Sequence, residues 1–401
     1  MTYEILYYLW ILSQIIIGYN LVIPLTFFLF YKLSTFFQQL PPQVISVPAE
    51  ETDYAIIVTA FEQSELLPSL VTSILSLNYS NYTVYIVADK CDISNLAFED
   101  TRIKLYRPES PLASNIRSHF YAIQRFIRPH ERLTIIDSDN LLHPEYLNEL
   151  NILFEQKFQA VQGLRTAKNL NTVYAKLDAV RDIYYHFYDG KILFGLGASA
   201  TLSGSGMAFT TALYKDCLGG LDITGAGFDK VLQFQIIKRN HRIAFAEKAI
   251  VYDTKTSESE ELVKQRSRWI NTWFKYFSYG FLLITQGIRN LSLNQFIFGL
   301  MLLRPPLFIF LLLSISFLTI NIWTNPFVAL IWLGAITVFI SGFALALAKS
   351  AANKDIYTSL LSIPKFIFFQ LVSLCNVRKA NERSLATKHK TMLPGDSSQD
   401  I

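Results

Sequence analysis

Leu133-Thr134-Ile135-Ile136-Asp137-Ser138-Asp139 is a strand-forming run that stops on two carboxylates. Its apolar and β-branched residues do not alternate with polar ones, the pattern of a strand buried on both faces. Two runs upstream have the same character, Tyr54–Thr59 (YAIIVT) and Thr83–Ala88 (TVYIVA). Between them Ser64–Leu77 has a helical pattern. Ile103–Tyr106 adds a strand and Ser114–Arg128 a further helix. The alternation predicts an α/β domain with a mostly parallel sheet and helices on both faces. Ligands of such sheets bind beyond the carboxyl ends of the strands. Acidic residues stand at those ends: Glu62 after the first strand, Asp89 and Asp92 after the second, Asp137 and Asp139 after the fourth.

Outside this domain the sequence turns apolar. Hydrophobic residues make up 51% of the 401, charged residues only 17%, and the mean hydropathy is +0.27. An ordinary soluble chain carries about 25% charged residues, so this composition excludes a disordered protein and predicts a lipid-embedded part. Ile5–Tyr31 is free of charge, long enough for one spanning helix. Lys32 on its C-terminal flank puts the next segment in the cytoplasm. Pro305–Ala348 is a second uncharged run, read as two spans over about Phe296–Ile320 and Phe327–Ala348, with Arg304 snorkelling or marking a kink. Ile356–Cys375 contains Lys365 and Pro364 and is read as an amphipathic helix on the cytoplasmic surface; a fourth span is the other reading. The expected division is a transmembrane helix at 1–32, a linker at 33–53, a cytosolic catalytic domain at 54–276 and an interfacial segment at 277–295. Two transmembrane helices follow at 296–348, then an interfacial helix and basic tail at 349–401. The catalytic domain of a multi-pass protein of the cell (inner) membrane would thus be cytoplasmic.

The net charge of +4 is matched by the tail alone, where Arg378, Lys379, Arg383, Lys388 and Lys390 outnumber Glu382. The basic excess is therefore local and gives no footprint for nucleic acid. Cys91, Cys217 and Cys375 lack the spacing of a metal site and read as free thiols. Neither a G-x-G-x-x-G turn nor a P-loop is present, so phosphate charge has to be neutralised by other means.

The chemistry is carried by a few short stretches. Asp137 and Asp139, two residues apart at a strand exit, can face one hard cation such as Mg²⁺ or Mn²⁺ shared with a substrate diphosphate; as a helix N-cap pair they would be structural. Gln265-Arg266-Ser267-Arg268-Trp269 puts Gln265, Arg268 and Trp269 on one helix face. A guanidinium there can grip diphosphate oxygens and an indole can stack on a sugar, although Trp269 and Trp273 also suit a membrane-surface helix. Gly204-Ser205-Gly206 permits close backbone approach to a ligand, or is an ordinary turn. Asp229 opens the helical run Lys230–Asn240 and is either a base or a dipole partner. Arg165 and Arg117 are further substrate contacts.

In this order the motifs resemble the membrane-associated glycosyltransferases of family 2, the cellulose-, chitin- and hyaluronan-synthase-like enzymes with the GT-A fold. The resemblance covers about Tyr54–Tyr276, and Arg383–His389 is similar to a basic, Thr-containing segment of bacterial members. It implies that Thr59, Glu62, Asp89, Asp92, Asp137 and Arg268 bind a nucleotide-sugar and that Asp137 and Asp139 hold the metal. It further implies that Gly204, Ser205, Gly206, Gln265 and Trp269 place the acceptor, and that Asp229 is the catalytic base. The implied reaction is inverting transfer from a nucleotide-sugar, a UDP-sugar, to a membrane-linked glycan or lipid, with no nucleic-acid partner. Gly227-Phe228-Asp229 stands where the family has Thr-Glu-Asp, and Ala60-Phe61-Glu62-Gln63 where it has a Tyr-Asn-Glu type. The alternative these departures leave is an inactive glycosyltransferase-like subunit for assembly or nucleotide sensing.

Overall fold

A computed structural model of the chain describes residues 2–37, 51–350 and 354–376. The Pro41-Pro42 linker and the basic residues Arg378–Lys390 lie outside the described residues. The chain opens with helix α1 (Thr2–Phe37) and enters an eight-stranded sheet. Its first half is β1 (Tyr54–Phe61), α2 (Leu67–Leu75), β2 (Tyr82–Asp89), β3 (Ile103–Tyr106), α3 (Asn115–Ile123) and β4 (Arg132–Asp137). These strands are parallel, and their registers align the rim: Thr59 lies beside Asp137, and Phe61 beside Asp89. The second half is β5 (Leu141–Leu142), α4 (Tyr146–Glu155), β6 (Ala160–Ala167) and α5 (Val173–Tyr185), then a π-helix at His186–Ile192 and the short turn α6 (Leu193–Gly195). It closes with β7 (Met207–Thr210), α7 (Thr211–Leu218), α8 (Phe228–Lys238) and β8 (Ile243–Asp253).

The strand order is β3-β2-β1-β4-β7-β6-β8-β5. The sheet is mostly parallel, as expected, with two strands reversed. β7 runs antiparallel to both β4 and β6, and β5 antiparallel to β8. The reversal of β7 matters for the site, because it brings the loop before that strand, Gly204–Gly206, to the carboxyl end of β4. Apolar clusters cover both sheet faces, one around Ile56, Val58, Leu70 and Leu147, the other around Ile57, Ile135, Phe209 and Leu232.

His119 in α3 is completely buried, and its Nδ1 lies 2.7 Å from the Tyr214 hydroxyl. Burial pushes its pKa down from 6.5 to about 3. The folded value lies below the unfolded one, so this contribution to stability is complete above pH 6.5 and is lost as pH falls toward 3. The loss amounts to about 1.4 kcal/mol per pH unit at most. His119→Gln is therefore expected to flatten the fall of Tm between pH 6.5 and pH 4.5; melting curves that keep the wild-type slope would contradict this.

Helix α9 (Ser259–Tyr276) follows the sheet and leads into α10 (Tyr279–Arg289), α11 (Leu293–Leu303), α12 (Leu307–Thr324) and α13 (Pro326–Lys349). The expected span over Phe296–Ile320 is broken at Arg304-Pro305-Pro306. Neither proline has an N–H to donate, and each disfavours helical backbone in the residue before it. Arg304 turns inward instead of snorkelling and forms a buried ion pair with Asp189 of the π-helix. The π-helix also packs Tyr188 and Ile192 against α1, α12 and α13, and the Tyr188 hydroxyl donates to the Gly342 carbonyl at 2.8 Å. The π-helix is thus one of the contacts between the sheet domain and the apolar helices.

Among the described residues four helical stretches are long and apolar enough to cross a membrane: Tyr3–Phe36, Leu307–Thr324, Pro326–Lys349 and Ile356–Cys375. The last comprises most of α14 (Lys354–Ser359), a 3₁₀ turn at Leu360–Ser362 and α15 (Ile363–Cys375). α15 lies along α9, where the Ser267 hydroxyl donates to the Ser373 carbonyl at 2.9 Å, and Phe369 meets Tyr174 of α5 edge-on.

Candidate active site

The rim of the sheet is a cleft of about 280 Å³ lined by Thr59, Asp89, Asp137, Asp139, Asn115, Gln265 and Trp269. It opens into a larger cavity that holds Asp229, Arg268 and Gly204. Residues far apart in sequence therefore face a common space. β4 delivers Asp137 to the edge, where its backbone N–H donates to the Ser205 hydroxyl at 3.0 Å. Burial, then the neighbouring charge of Asp139, pushes the Asp137 carboxyl up to about 7; Arg165 opposes this, and Asp253 and Asp229 add to it. Asp229 is thus within electrostatic reach of the pair. Its carboxylate lies 3.3 Å from Lys230 Nζ.

Asp229 sits in the first turn of α8, and Gly227 at φ +100° caps that helix. A Cβ on Gly227 would come within 2.5 Å of Thr272 and 2.8 Å of Tyr276 in α9. This close approach ties the position of Asp229 to the helix carrying Gln265, Arg268 and Trp269. Gly227→Ala is expected to move Asp229 and lower kcat on the order of a hundredfold while nucleotide binding persists. Unchanged turnover would show that the glycine has no positioning role.

Several expected residues are used differently. Glu62 adopts a left-handed backbone (φ 59°), and its carboxylate pairs with exposed Lys90 at 2.6 Å, outside the cleft; Gln63 lines the cleft instead. Asp92 accepts from the Ser94 N–H at 3.0 Å and also stays outside, because the chain has already turned away from the sheet. Asp89 does reach the cleft, but its carboxylate accepts from the backbone N–H groups of Leu112 and Ala113 and so shapes the adjoining loop. Ser205 is fully buried and donates to Asn140, fixing the strand end, not a ligand. The Gly206 N–H donates to the Ile135 carbonyl at 2.9 Å. Only Gly204 of this loop lines the cavity. Arg117 is paired with Asp222 at the surface. The Trp269 ring carries two guanidiniums, Arg181 at 4.0 Å and Arg266 at 4.2 Å from its centroid, so its π-surface is already engaged by protein cations.

A charge network that the motifs, Arg165 apart, did not indicate lines the cleft. Asp178 pairs with Arg266 and with Arg181, and Asp182 pairs with Arg181 and Lys255. Lys255 reaches Asp253 at 3.0 Å, and Asp253 reaches Arg165 at 2.6 Å. Burial pushes the Asp178 carboxyl up to about 6, whereas Arg181 and Lys255 together outweigh burial at Asp182 and hold it low. The i, i+3, i+4 spacing of Asp178, Arg181 and Asp182, and Asp253 at a strand exit, were the available signals.

A glycosyltransferase-like family 2 model matches residues 51–272, more than half of the chain. The chain belongs to that family and is a glycosyltransferase. The fold is similar to that of a mannosyltransferase from Pyrobaculum calidifontis solved with GDP-Man and Mn²⁺, with a TM-score of 0.53 and 15% identity over 90% of this chain and 98% of that one. A looser likeness, TM-score 0.41 at 15% identity, is to residues 1–349 of S. aureus TarS solved with UDP-GlcNAc, covering 82% of this chain and 93% of that one. No curated protein sequence matches the chain.

Proposed function

We propose that the enzyme moves a sugar from a nucleotide-diphosphate donor, a UDP-sugar, to a hydroxyl of a membrane-linked acceptor, with inversion at the anomeric carbon. The observation that carries this reading is that Asp137 lines both the cleft, with Asp139, and the larger cavity, with Asp229, so carboxylates from the end of β4 and the start of α8 border adjoining spaces. Asp229 accepts the acceptor's proton, which is worth about 10²–10⁴ in rate. The hydroxyl oxygen attacks from the face opposite the diphosphate, so one displacement inverts the centre. Arg268 and Gln265 orient donor and acceptor at the mouth of the larger cavity.

Asp137 and Asp139 suit a divalent cation, Mg²⁺ or Mn²⁺. Both carboxylates line the cleft, and burial, then the charge of Asp139, disfavours the ionised form of Asp137, which a bound cation would favour. Among the described residues no group of three or more Asp, Glu, His or Cys forms a protein cage. That fits an ion which takes one or two carboxylates and completes its shell with substrate phosphates and water. When bound, such an ion neutralises charge developing on the departing diphosphate. The apolar helices hold the domain at the cytoplasmic face of the cell membrane, and α15 lies on the surface against α9.

The test is product analysis. Purified full-length protein with Mn²⁺, mixed UDP- and GDP-sugars and membrane lipid extract is expected to yield a glycosylated product by mass spectrometry, with inverted anomeric configuration by NMR. Retained configuration would contradict the single-displacement mechanism.

A further inference from the structure

The cavity beyond Asp229 has a volume of about 960 Å³, at the upper end of the roughly 300–1,000 Å³ of ligand sites. Its deep walls are Phe308 and Leu311 of α12, Phe339 and Phe343 of α13, and Phe366 and Ile367 of α15. α12 and α13 are two of the helices apolar enough to cross a membrane. The cavity and the catalytic cleft are continuous, because Asp137, Arg165, Gln265 and Trp269 line both. A sugar polymer threaded through such walls would leave its hydroxyls without hydrogen bonds, at a cost for each one. A hydrocarbon chain meets no such penalty and gains from burial.

The end of the cavity nearer the cleft has a different character. Ser203 Oγ, Gln265 Oε1 and Trp273 Nε1 are buried atoms with no hydrogen-bond partner in the protein, as are Arg165 Nε and Arg266 Nε, and all five residues line the cavity. A buried polar atom left unpaired costs about 1–3 kcal/mol, so the Ser203, Gln265 and Trp273 atoms indicate a ligand that pairs with them. The indole N–H donates, the amide oxygen accepts and the serine hydroxyl does either. That mixture matches hydroxyl groups, whereas an ionised phosphate offers acceptors only.

Building on the proposed glycosyl transfer, we infer that the acceptor is a hydroxyl-headed lipid, a lipid alcohol or a neutral glycosyl lipid. Its hydrocarbon chain lies among α12, α13 and α15, and its hydroxyl meets Asp229. In the transfer a bond forms between the acceptor oxygen and the anomeric carbon. The bond from that carbon to the diphosphate oxygen breaks, its electron pair leaves on the diphosphate, and the hydroxyl proton passes to the Asp229 carboxylate.

The experiment uses the full-length protein in nanodiscs with Mn²⁺ and labelled UDP- and GDP-sugars. Diacylglycerol, a long-chain alkyl glucoside, a polyprenyl phosphate and a soluble oligosaccharide are offered as separate acceptors. Label is expected in the hydroxyl lipids. Leu311→Trp and Ala344→Trp each fill the apolar end of the cavity and are expected to raise KM for the lipid roughly tenfold or more. Calorimetric binding of UDP or GDP with Mn²⁺ reports that these variants are folded. Two substitutions at separate positions keep the test open if one of them fails to fold. Preference for the polyprenyl phosphate or the soluble oligosaccharide overturns the inference and leaves glycosyl transfer standing, as does a wild-type KM for the lipid in folded variants. Absence of turnover from every donor with every acceptor removes the proposed function, and this inference with it.

Discussion

Asp229→Asn is expected to lower sugar transfer by about 10²–10⁴-fold and to leave nucleotide binding nearly unchanged. The substitution preserves shape and the position in the first turn of α8 and removes only the ability to take a proton. Asp229 lines the larger cavity together with Asp137 and stands apart from the carboxylate pair at the end of β4. Initial rates and calorimetric titration with UDP, on the same preparation, separate the two effects. Transfer close to the wild-type rate would take the proton to some other group, whereas joint loss of binding and transfer would make Asp229 part of the donor site.

The second large effect concerns Asp137 and Asp139. Replacing both with Asn removes the negative charge that would hold a divalent ion, and such an ion contributes several kcal/mol of transition-state stabilisation, roughly 10²–10³ in rate or more. The variant's affinity for UDP is expected to become indifferent to Mn²⁺ and to equal that of the wild type in EDTA. Wild-type activity should vanish on chelation and return with Mn²⁺ or Mg²⁺. A variant whose UDP binding still rises with Mn²⁺ would place the ion elsewhere.

How far the sequence reaches depends on whether a signal is local. The strands at Tyr54, Thr83 and Leu133 were legible because runs of buried apolar residues need no partner to be recognised, and Asp137 and Asp139 follow from the strand they terminate. Glu62 and Asp92 lie outside the cleft for the complementary reason. One residue past a strand end, the direction of a side chain is set by loop backbone, here the left-handed turn at Glu62 and its pairing with Lys90. The reversed strand β7 could not be anticipated, since direction within a sheet depends on non-local pairing. The same reversal turns Ser205 from an apparent ligand contact into a clamp on Asp137. Helix α9 was read on the correct face, yet the partners of Trp269 include Arg181 of α5, a distant segment. Pro305 and Pro306 carried a local signal that hydropathy overrode, and the helix ends before them.

The most direct measurement is a cryo-electron microscopy map of the full-length protein with Mn²⁺ and a non-transferable UDP-sugar analogue. The account predicts metal density between the β4 carboxylates and the diphosphate, with the sugar's reactive carbon presented to residue 229. A nucleotide seated away from the end of β4, or an ion coordinated without Asp137 and Asp139, would contradict it.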